Sequence, residues 1–185
     1  FFTLLPIFLI FEFKKVRKAK LDYKKIFIYF IIISFLLSYG NSLQQFALLL
    51  TDVANAAVYT VLYVVIVPFV AYFFFSKHTH WSVWPAVLIC IVGGLLLTEL
   101  DNISVRTGDA IAVFNAFFWA FHIVFISRFL RVFNFPITIA TFQCLIAGIF
   151  AFIPALTFEG FSLLNLSLEW KELIYAGVLS SGIAF

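Results

Sequence analysis

The stretch GDAIAVFNAFFWAFHIVFISRFLR, residues Gly108 to Arg131, decides the fold class of this protein. It contains no charged residue from Ala110 to Ser127, a length close to the ~20 apolar helical residues that cross a hydrocarbon core about 30 Å thick. Asp109 precedes this run, and Arg128 and Arg131 follow it. We therefore expect a transmembrane helix that Gly108 and Asp109 cap at its positive N-terminal end. The two arginines complement its negative C-terminal end and contact lipid headgroups.

The composition of the whole chain also indicates a membrane protein. Of its 185 residues, 64% are hydrophobic and 11% are charged, whereas soluble domains carry about a quarter charged residues. The charges are bunched between long uncharged runs, which is typical of membrane spans rather than of a soluble core. Cys90 and Cys144 lie inside such runs, and we interpret them as small hydrophobic residues.

Seven uncharged runs are candidate spans, and two of them are cut by the ends of the sequence. The complete runs are Ile26–Leu50, Val53–Ser76, Trp81–Thr98, Ala110–Ser127 and Phe135–Phe158, and the partial runs are Phe1–Phe11 and Leu173–Phe185. These continuous runs are too long for the alternating strands of about ten residues that build a membrane β-barrel. We therefore predict an all-α integral membrane protein, a polytopic helix bundle, of which this sequence is a piece truncated at both ends.

Positive charge is distributed unevenly between the connecting loops. Loops 12–25, 77–80 and 128–134 hold ten Lys and Arg residues, whereas the opposite loops hold only Arg106 and Lys171. Because loops rich in Lys and Arg stay on the cytoplasmic side, we expect these three loops to be cytoplasmic. We predict a multi-pass protein of a plasma membrane, with a bacterial inner membrane as the expected setting.

A repeat emerges when the two ends of the chain are compared. FFTLLPIF at Phe1–Phe8 resembles IFAFIPAL at Ile149–Leu156, and the charged stretches that follow continue the match at a similar spacing. Four complete spans lie between the two copies, so the repeating unit has five helices, and this odd number inverts the second copy. Inverted repeats are typical of transporters whose halves rock between two open states. We predict that residues 1–100 end the first repeat and that residues 108–185 begin the second.

Several motifs, taken in order, resemble one known family. They are ALLLTDVANAAVYTVLYVVIVPFVAYFFF from Ala47 to Phe75, WPAVLICIVGGLLL, GDAIAVFNAFFWAFHIVFISR and YAGVLSSGIAF. In order and spacing they are similar to the drug/metabolite transporter superfamily, specifically its EamA-type permeases. The resemblance implies a ten-helix protein of which this sequence covers helices two to eight, and export or exchange of small metabolites without ATP hydrolysis in the same chain. The chain departs from the family at SKHTH, Ser76–His80, where members commonly have a Glu.

Polar side chains inside the spans are the candidate substrate-binding residues. A polar group in hydrocarbon needs a partner, so it faces the bundle interior or a watery cavity. Several candidates share a helix face because they are three or four residues apart. The candidates are Asn41, Gln45, Asn55, Tyr59, Asn115, Trp119, His122 and Gln143, with Gln44 beside the first two. For any single amide, a hydrogen bond between helices, worth about 0.6 to 2 kcal/mol, is the commoner role. The stripe of Asn115, Trp119 and His122 on one helix favours binding more strongly.

Histidine raises two further hypotheses. His122 is a candidate proton-coupling group because imidazole titrates near neutral pH, although neutral, hydrogen-bonded histidine is the commoner case. His78 and His80 share one loop without further ligands, so we predict no metal site there. We also expect no cofactor, since the sequence contains no nucleotide-binding loop.

The spans carry no charge near their middle, and this bears on the substrate. Tyrosine, tryptophan and amides suit a neutral or zwitterionic small molecule. We therefore predict transport of a small metabolite, such as an amino acid or related compound, by alternating access, and no enzymatic activity. A membrane-embedded enzyme acting on lipid-linked substrates and a non-transporting scaffold subunit stay open as alternatives. The expected partners are the substrate and the lipid bilayer, without nucleic acid, and a homodimer is left open.

Overall fold

The computed structural model describes residues 1–76, 80–97, 106–158 and 169–178, and these ranges contain helices and no β-strand. In chain order the helices are α1 (Leu4–Phe11), α2 (Phe13–Lys18), α3 (Tyr23–Leu48), α4 (Val53–Val61), α5 (Tyr63–Phe75), α6 (Val83–Leu97), α7 (Thr107–Val132), α8 (Pro136–Phe158) and α9 (Trp170–Ile174). The predicted all-α class is confirmed.

Among the residues that the structure describes, four helical segments are long and apolar enough to cross a membrane. They are Tyr23–Leu48, Val53–Phe74, Thr107–Val132 and Pro136–Leu156. A shorter apolar helix, Val83–Gly93, lies within the predicted span Trp81–Thr98, whose last residue falls outside the described ranges. The chain is therefore an integral membrane protein with several passes. α3 and α7, at 26 residues each, are about 39 Å long at the α-helical rise of 1.5 Å per residue.

The N-terminal half of the chain has helix boundaries that differ from the predicted ones. α3 begins at Tyr23 rather than Ile26, and the Asp22 carboxylate accepts a hydrogen bond from the backbone N–H of Lys25 at 3.2 Å, as an N-cap does. The predicted loop 12–25 contains the short helix α2. A search for uncharged runs misses these features because backbone hydrogen bonds continue through lysine as readily as through leucine.

Two further boundaries also differ. α7 continues to Val132, so most of the predicted loop 128–134 is helical, and both of its arginines lie on the last turns of α7. The predicted span Val53–Ser76 is interrupted at Leu62, which separates α4 from α5. α5 ends at Ser76 in the left-handed conformation, with φ of 50°. Of the predicted final run 173–185, only residues up to 178 are described.

By their internal contacts the described helices form two compact units. The first comprises residues 1–35 and 129–185, and the second comprises residues 36–128, so the boundary falls within α3 and within α7. The predicted repeats, 1–100 and 108–185, follow chain order, and this division does not test them.

The first unit has an aromatic core. Phe129 is fully buried; its ring stacks on Tyr29 with centroids 5.0 Å apart and meets Phe30 edge-on at 5.0 Å. Phe142 contacts Phe30 at 6.0 Å and Phe8 at 5.4 Å, also edge-on. Such pairs contribute about 0.5 to 1.5 kcal/mol each beyond the area they bury, and here they pack α1, α3, α7 and α8 together.

The second unit packs against a face of small residues on α7. Ala112, Ala116 and Ala120 recur every four residues and are fully buried. Small side chains allow helix backbones to approach closely, which is how helices associate in lipid. Further along the same helix, Val124 joins Ala120 and Val70 of α5 in a buried apolar cluster.

Candidate substrate-binding site

A polar network joins α3 to α7 within the second unit. It consists of Gly40 and Gln44 on α3 with Asn115 and Trp119 on α7, and we call it the amide–indole network. Asn115 is fully buried, and in the orientation that satisfies its amide, Nδ2 donates to the Gly40 carbonyl at 2.9 Å while Oδ1 accepts from Trp119 Nε1 at 3.2 Å. Trp119 Nε1 also donates to Gln44 Oε1 at 3.2 Å. One indole N–H is therefore shared between an acceptor on each helix.

Gly40 allows the two helices to approach at the network. A Cβ atom at this position would lie 3.5 Å from Trp119 Cε2 and 3.6 Å from the side-chain amide of Asn115, which are ordinary van der Waals distances. An alanine would fit there, but a larger side chain would push the indole away. Glycine thus brings its carbonyl within reach of the Asn115 amide.

His122 lies one turn beyond Trp119 on α7. Its ring is buried and meets the Trp119 ring edge-on, with centroids 5.8 Å apart and an interplanar angle of 82°. The three residues predicted to form a stripe, Asn115, Trp119 and His122, are therefore adjacent in the structure.

The network uses a different face of α3 from the one that the sequence indicated. Asn41 and Gln45, which we selected because they are four residues apart, are both exposed, and the described part of the chain offers neither a hydrogen bond. Gly40 and Gln44 share the same spacing and form the side that meets α7. Helical periodicity allowed both pairs, and the signal that distinguishes them is the glycine, which marks a close helix contact.

Asn55 and Tyr59 are half-buried on α4 and lie about one turn apart, as their spacing predicts. Neither forms a hydrogen bond within the described residues. The Thr60 hydroxyl next to them, by contrast, donates to the Ala56 carbonyl one turn earlier at 2.7 Å.

Gln143 belongs to the first unit and is fully buried on α8. Its Oε1 and Nε2 atoms have no hydrogen-bond partner among the described residues, and the same is true of the buried Ser34 hydroxyl. Burying an unpaired amide costs about 1 to 3 kcal/mol. Gln143 is the candidate for which both polar side-chain atoms are buried without a hydrogen bond among the described residues.

Asp109 organises the N-terminus of α7. Its Oδ2 accepts from the backbone N–H of Arg106 at 2.9 Å, and its Oδ1 accepts from the Thr51 hydroxyl at 2.5 Å. A carboxylate at the third helical position that reaches back in this way forms half of a capping box. The Arg106 guanidinium pairs with Asp52 at 2.6 Å, and both side chains are substantially exposed. These four residues form the clasp between the end of α3 and the start of α7.

Gly108 is required by the clasp. A Cβ atom there would lie 2.7 Å from the backbone carbon of Leu50 and 2.8 Å from the Ala47 carbonyl oxygen. Those distances are shorter than real Cβ atoms show, and the atoms met belong to backbone, which moves only at a cost. In addition to its predicted place in the helix cap, Gly108 permits a close contact between α7 and α3.

The comparison with known proteins involves the last part of the chain. Residues 106–185 match the model of the EamA-like transporter family. The resemblance to EamA-type permeases of the drug/metabolite transporter superfamily is confirmed over these residues. The matched family consists of transporters rather than enzymes. Comparison with curated proteins and with solved structures gives no match to either.

The EamA-like segment includes one side of the amide–indole network. Asn115, Trp119 and His122 lie inside the matched residues, whereas Gly40 and Gln44 lie outside them. Within the described ranges, no three His, Cys, Asp or Glu residues come together as metal ligands would. His78, one of the two loop histidines considered above, lies outside those ranges.

Proposed function

We propose that this protein carries a small neutral or zwitterionic metabolite, such as an amino acid, across a membrane by alternating access. The observation that carries the proposal is the match of residues 106–185 to a family of transporters. Four membrane-spanning helices and a polar network between two of them support it, because a carrier must offer hydrogen bonds to its substrate inside an apolar medium.

The substrate class follows from the chemistry of the spans. Between their charged ends, the four candidate spans contain no Asp, Glu, Lys or Arg. A dianionic substrate would find no countercharge on these helices, and a buried charge without one is costly. Amide, indole and imidazole groups offer both donors and acceptors to a neutral or zwitterionic molecule.

Within the network we assign distinct roles to its members. Trp119 and His122 contact the substrate, and Asn115 is a positioning residue that holds the indole from the same helix. Trp119 is half-buried, and its N–H is shared between Asn115 and Gln44. A substrate oxygen that replaces Gln44 as acceptor would loosen the tie between α3 and α7 without freeing the indole.

The remaining candidates have secondary roles in the proposal. Asn55 and Tyr59 lack hydrogen bonds within the described residues, so each can receive a substrate group, whereas the fully buried Gln143 of the first unit stays a prediction of the sequence. The exposed Asn41 and Gln45 are retained only as further contacts. The inverted five-helix repeats provide the alternating motion, and a bacterial inner membrane, with loops 12–25, 77–80 and 128–134 in the cytoplasm, is the setting we propose.

Exchange assays on the intact protein in proteoliposomes test the proposal. We expect saturable exchange of at least one neutral or zwitterionic amino acid from a labelled panel, and no exchange of dianionic sugar phosphates. Trp119→Phe keeps an aromatic ring, although a smaller one, and removes the shared N–H, so exchange should fall by at least about two- to tenfold, the value of one hydrogen bond. Trp84→Phe is the matched control, since Trp84 packs edge-on against Phe69 on the surface of the second unit.

Two results would contradict the proposal. Exchange confined to dianions would overturn the substrate class. Equal exchange by Trp119→Phe and Trp84→Phe would remove the amide–indole network from the transport pathway.

A further inference from the structure

We propose that the basic side chains between Lys14 and Lys25 form a binding surface for anionic lipid headgroups, in the leaflet that borders α2. The surface, which we call the basic surface, consists of Lys14, Lys15, Arg17, Lys18, Lys20, Lys24 and Lys25. All seven side chains are exposed. An excess of positive charge in the cytoplasmic loops sets the orientation of a membrane protein during insertion. The basic surface would, in addition, determine which lipids bind to the folded protein.

Among the described residues, no carboxylate forms an ion pair with the basic surface. The two carboxylates nearest to these cations in the sequence, Glu12 and Asp22, both accept hydrogen bonds from backbone N–H groups. Glu12 is buried and accepts hydrogen bonds at the start of α8, and Asp22 caps α3. The exposed Asp22 offsets only part of the seven positive charges, and most of this charge is left to attract an external anion.

The basic surface lies where a bilayer would present its headgroups. α1 ends at Phe11 and α3, a candidate span, begins at Tyr23, so five of the seven cations lie between two apolar helices, and Lys24 and Lys25 lie on the first turn of α3. Phe11, Phe13 and Tyr23 are exposed, and aromatic side chains of this kind are typical of the membrane interface. Long lysine and arginine stems can rest on apolar surface while their charged ends reach the headgroups.

The arrangement of the cations favours several headgroups over one soluble phosphate. Lys14, Lys15, Arg17 and Lys18 lie on consecutive positions around the short helix α2, separated only by the half-buried Val16. Adjacent side chains, such as those of Lys14 and Lys15, point about a hundred degrees apart on a helix, so the four cations as a set cannot converge on one anion. They can each reach a different lipid, and every basic residue near an anionic membrane increases binding about fivefold.

Lipid selectivity of the intact protein tests the proposal. In phosphatidylcholine bilayers, the association of spin-labelled phosphatidylglycerol with the protein is compared with that of spin-labelled phosphatidylcholine. We expect a preference for phosphatidylglycerol of at least severalfold in about 0.1 M salt and a much smaller one in about 1 M salt, because the Debye length falls from about 10 Å to about 3 Å.

Variants locate the preference on the protein. Replacing Lys14, Lys15, Arg17 and Lys18 with glutamine should remove most of the preference, whereas replacing the three lysines with arginine should keep it. Lys171→Gln removes an exposed cation on α9 and should leave the preference unchanged. Because all of these side chains are exposed, circular dichroism and elution volume should stay at their wild-type values.

Three outcomes would overturn the proposal. They are equal association of the two lipids with the wild-type protein, an unchanged preference in the glutamine variant, and loss of the preference on addition of inorganic phosphate at constant ionic strength. The last result would assign the surface to a soluble anion. None of these results depends on transport, so the proposed function is tested separately.

Discussion

Glu12 and Thr138 are joined by two hydrogen bonds across 126 residues of sequence. Glu12 Oε2 accepts from the backbone N–H of Thr138 at 2.7 Å and from its hydroxyl at 2.6 Å, and Oε1 accepts from the backbone N–H of Ile137 at 3.3 Å. α8 starts with Pro136, which has no N–H group, so the carboxylate serves the next two backbone donors. The junction of α1 and α2 is thereby tied to the start of α8.

Removal of the Glu12 carboxylate should destabilise the first unit. Glu12→Ala leaves buried donors of α8 without an acceptor, and we expect the free energy of unfolding to fall by about 1 to 3 kcal/mol. Glu12→Gln keeps one oxygen acceptor and should lose less. Chemical unfolding in detergent micelles measures the change, with the exposed Glu172→Ala as control. Equal stability of Glu12→Ala and Glu172→Ala would contradict the capping role.

Two glycines should respond differently to the same substitution. Gly108→Ala places a Cβ atom 2.7 Å from the backbone of Leu50, whereas Gly40→Ala places one 3.5 Å from the Trp119 ring. We expect Gly108→Ala to lower the thermal unfolding temperature clearly, at a cost of about 1 to 3 kcal/mol for overpacking. Gly40→Ala should stay close to the wild-type value. The reverse order would show that the clasp does not require the close contact.

The buried and exposed parts of the clasp should contribute unequally. Thr51→Val removes the hydroxyl that donates to the buried Asp109, and we expect a loss of about 1 to 3 kcal/mol in the free energy of unfolding. Arg106→Gln removes an ion pair whose side chains are 46% and 65% exposed, and such pairs contribute at most about 1 kcal/mol. Titration with denaturant at low and high salt distinguishes them, since only the ion pair should depend on salt. A larger effect of Arg106→Gln would refute this ranking.

Neighbouring glutamines on α3 provide a test of which helix face meets α7. Gln44→Leu removes an acceptor of the Trp119 N–H, and a hydrogen bond between membrane helices is worth about 0.6 to 2 kcal/mol. Gln45→Leu replaces an exposed amide and should leave the free energy of unfolding unchanged. Trp119 fluorescence should also shift only in the first variant. If Gln45→Leu were the more harmful change, the register of α3 would be different.

Labelling from one side of the membrane tests the predicted orientation. In a background with Cys90 and Cys144 replaced by serine, Lys18→Cys and Arg131→Cys should both react with a membrane-impermeant maleimide from the cytoplasmic side only. Both positions are exposed, so failure to react would not reflect burial. Reaction of the two cysteines from opposite sides would exclude the inverted-repeat topology.

The helical type and the approximate positions of the four long apolar helices could be predicted from the sequence alone, whereas the predicted total of seven spans stays a prediction. Uncharged runs such as Ala110–Ser127 and Phe135–Phe158 are long enough to cross a bilayer, and in lipid a single segment satisfies its backbone groups only as a helix. This constraint is local, so it needs no knowledge of the neighbours. The ends were less accurate, because caps such as Asp22 extend a helix past the charges that close an apolar run.

Only the tertiary structure decided which polar residues meet. The sequence supplied the stripe of Asn115, Trp119 and His122, but not the choice of Gln44 over Gln45 as the partner of Trp119, nor the cap that Glu12 places on α8. The members of these pairs are 75 and 126 residues apart, and their contact depends on how whole helices pack. Helical periodicity predicts which side chains share one face of a helix. Which neighbouring helix packs against that face depends on the close packing of many side chains.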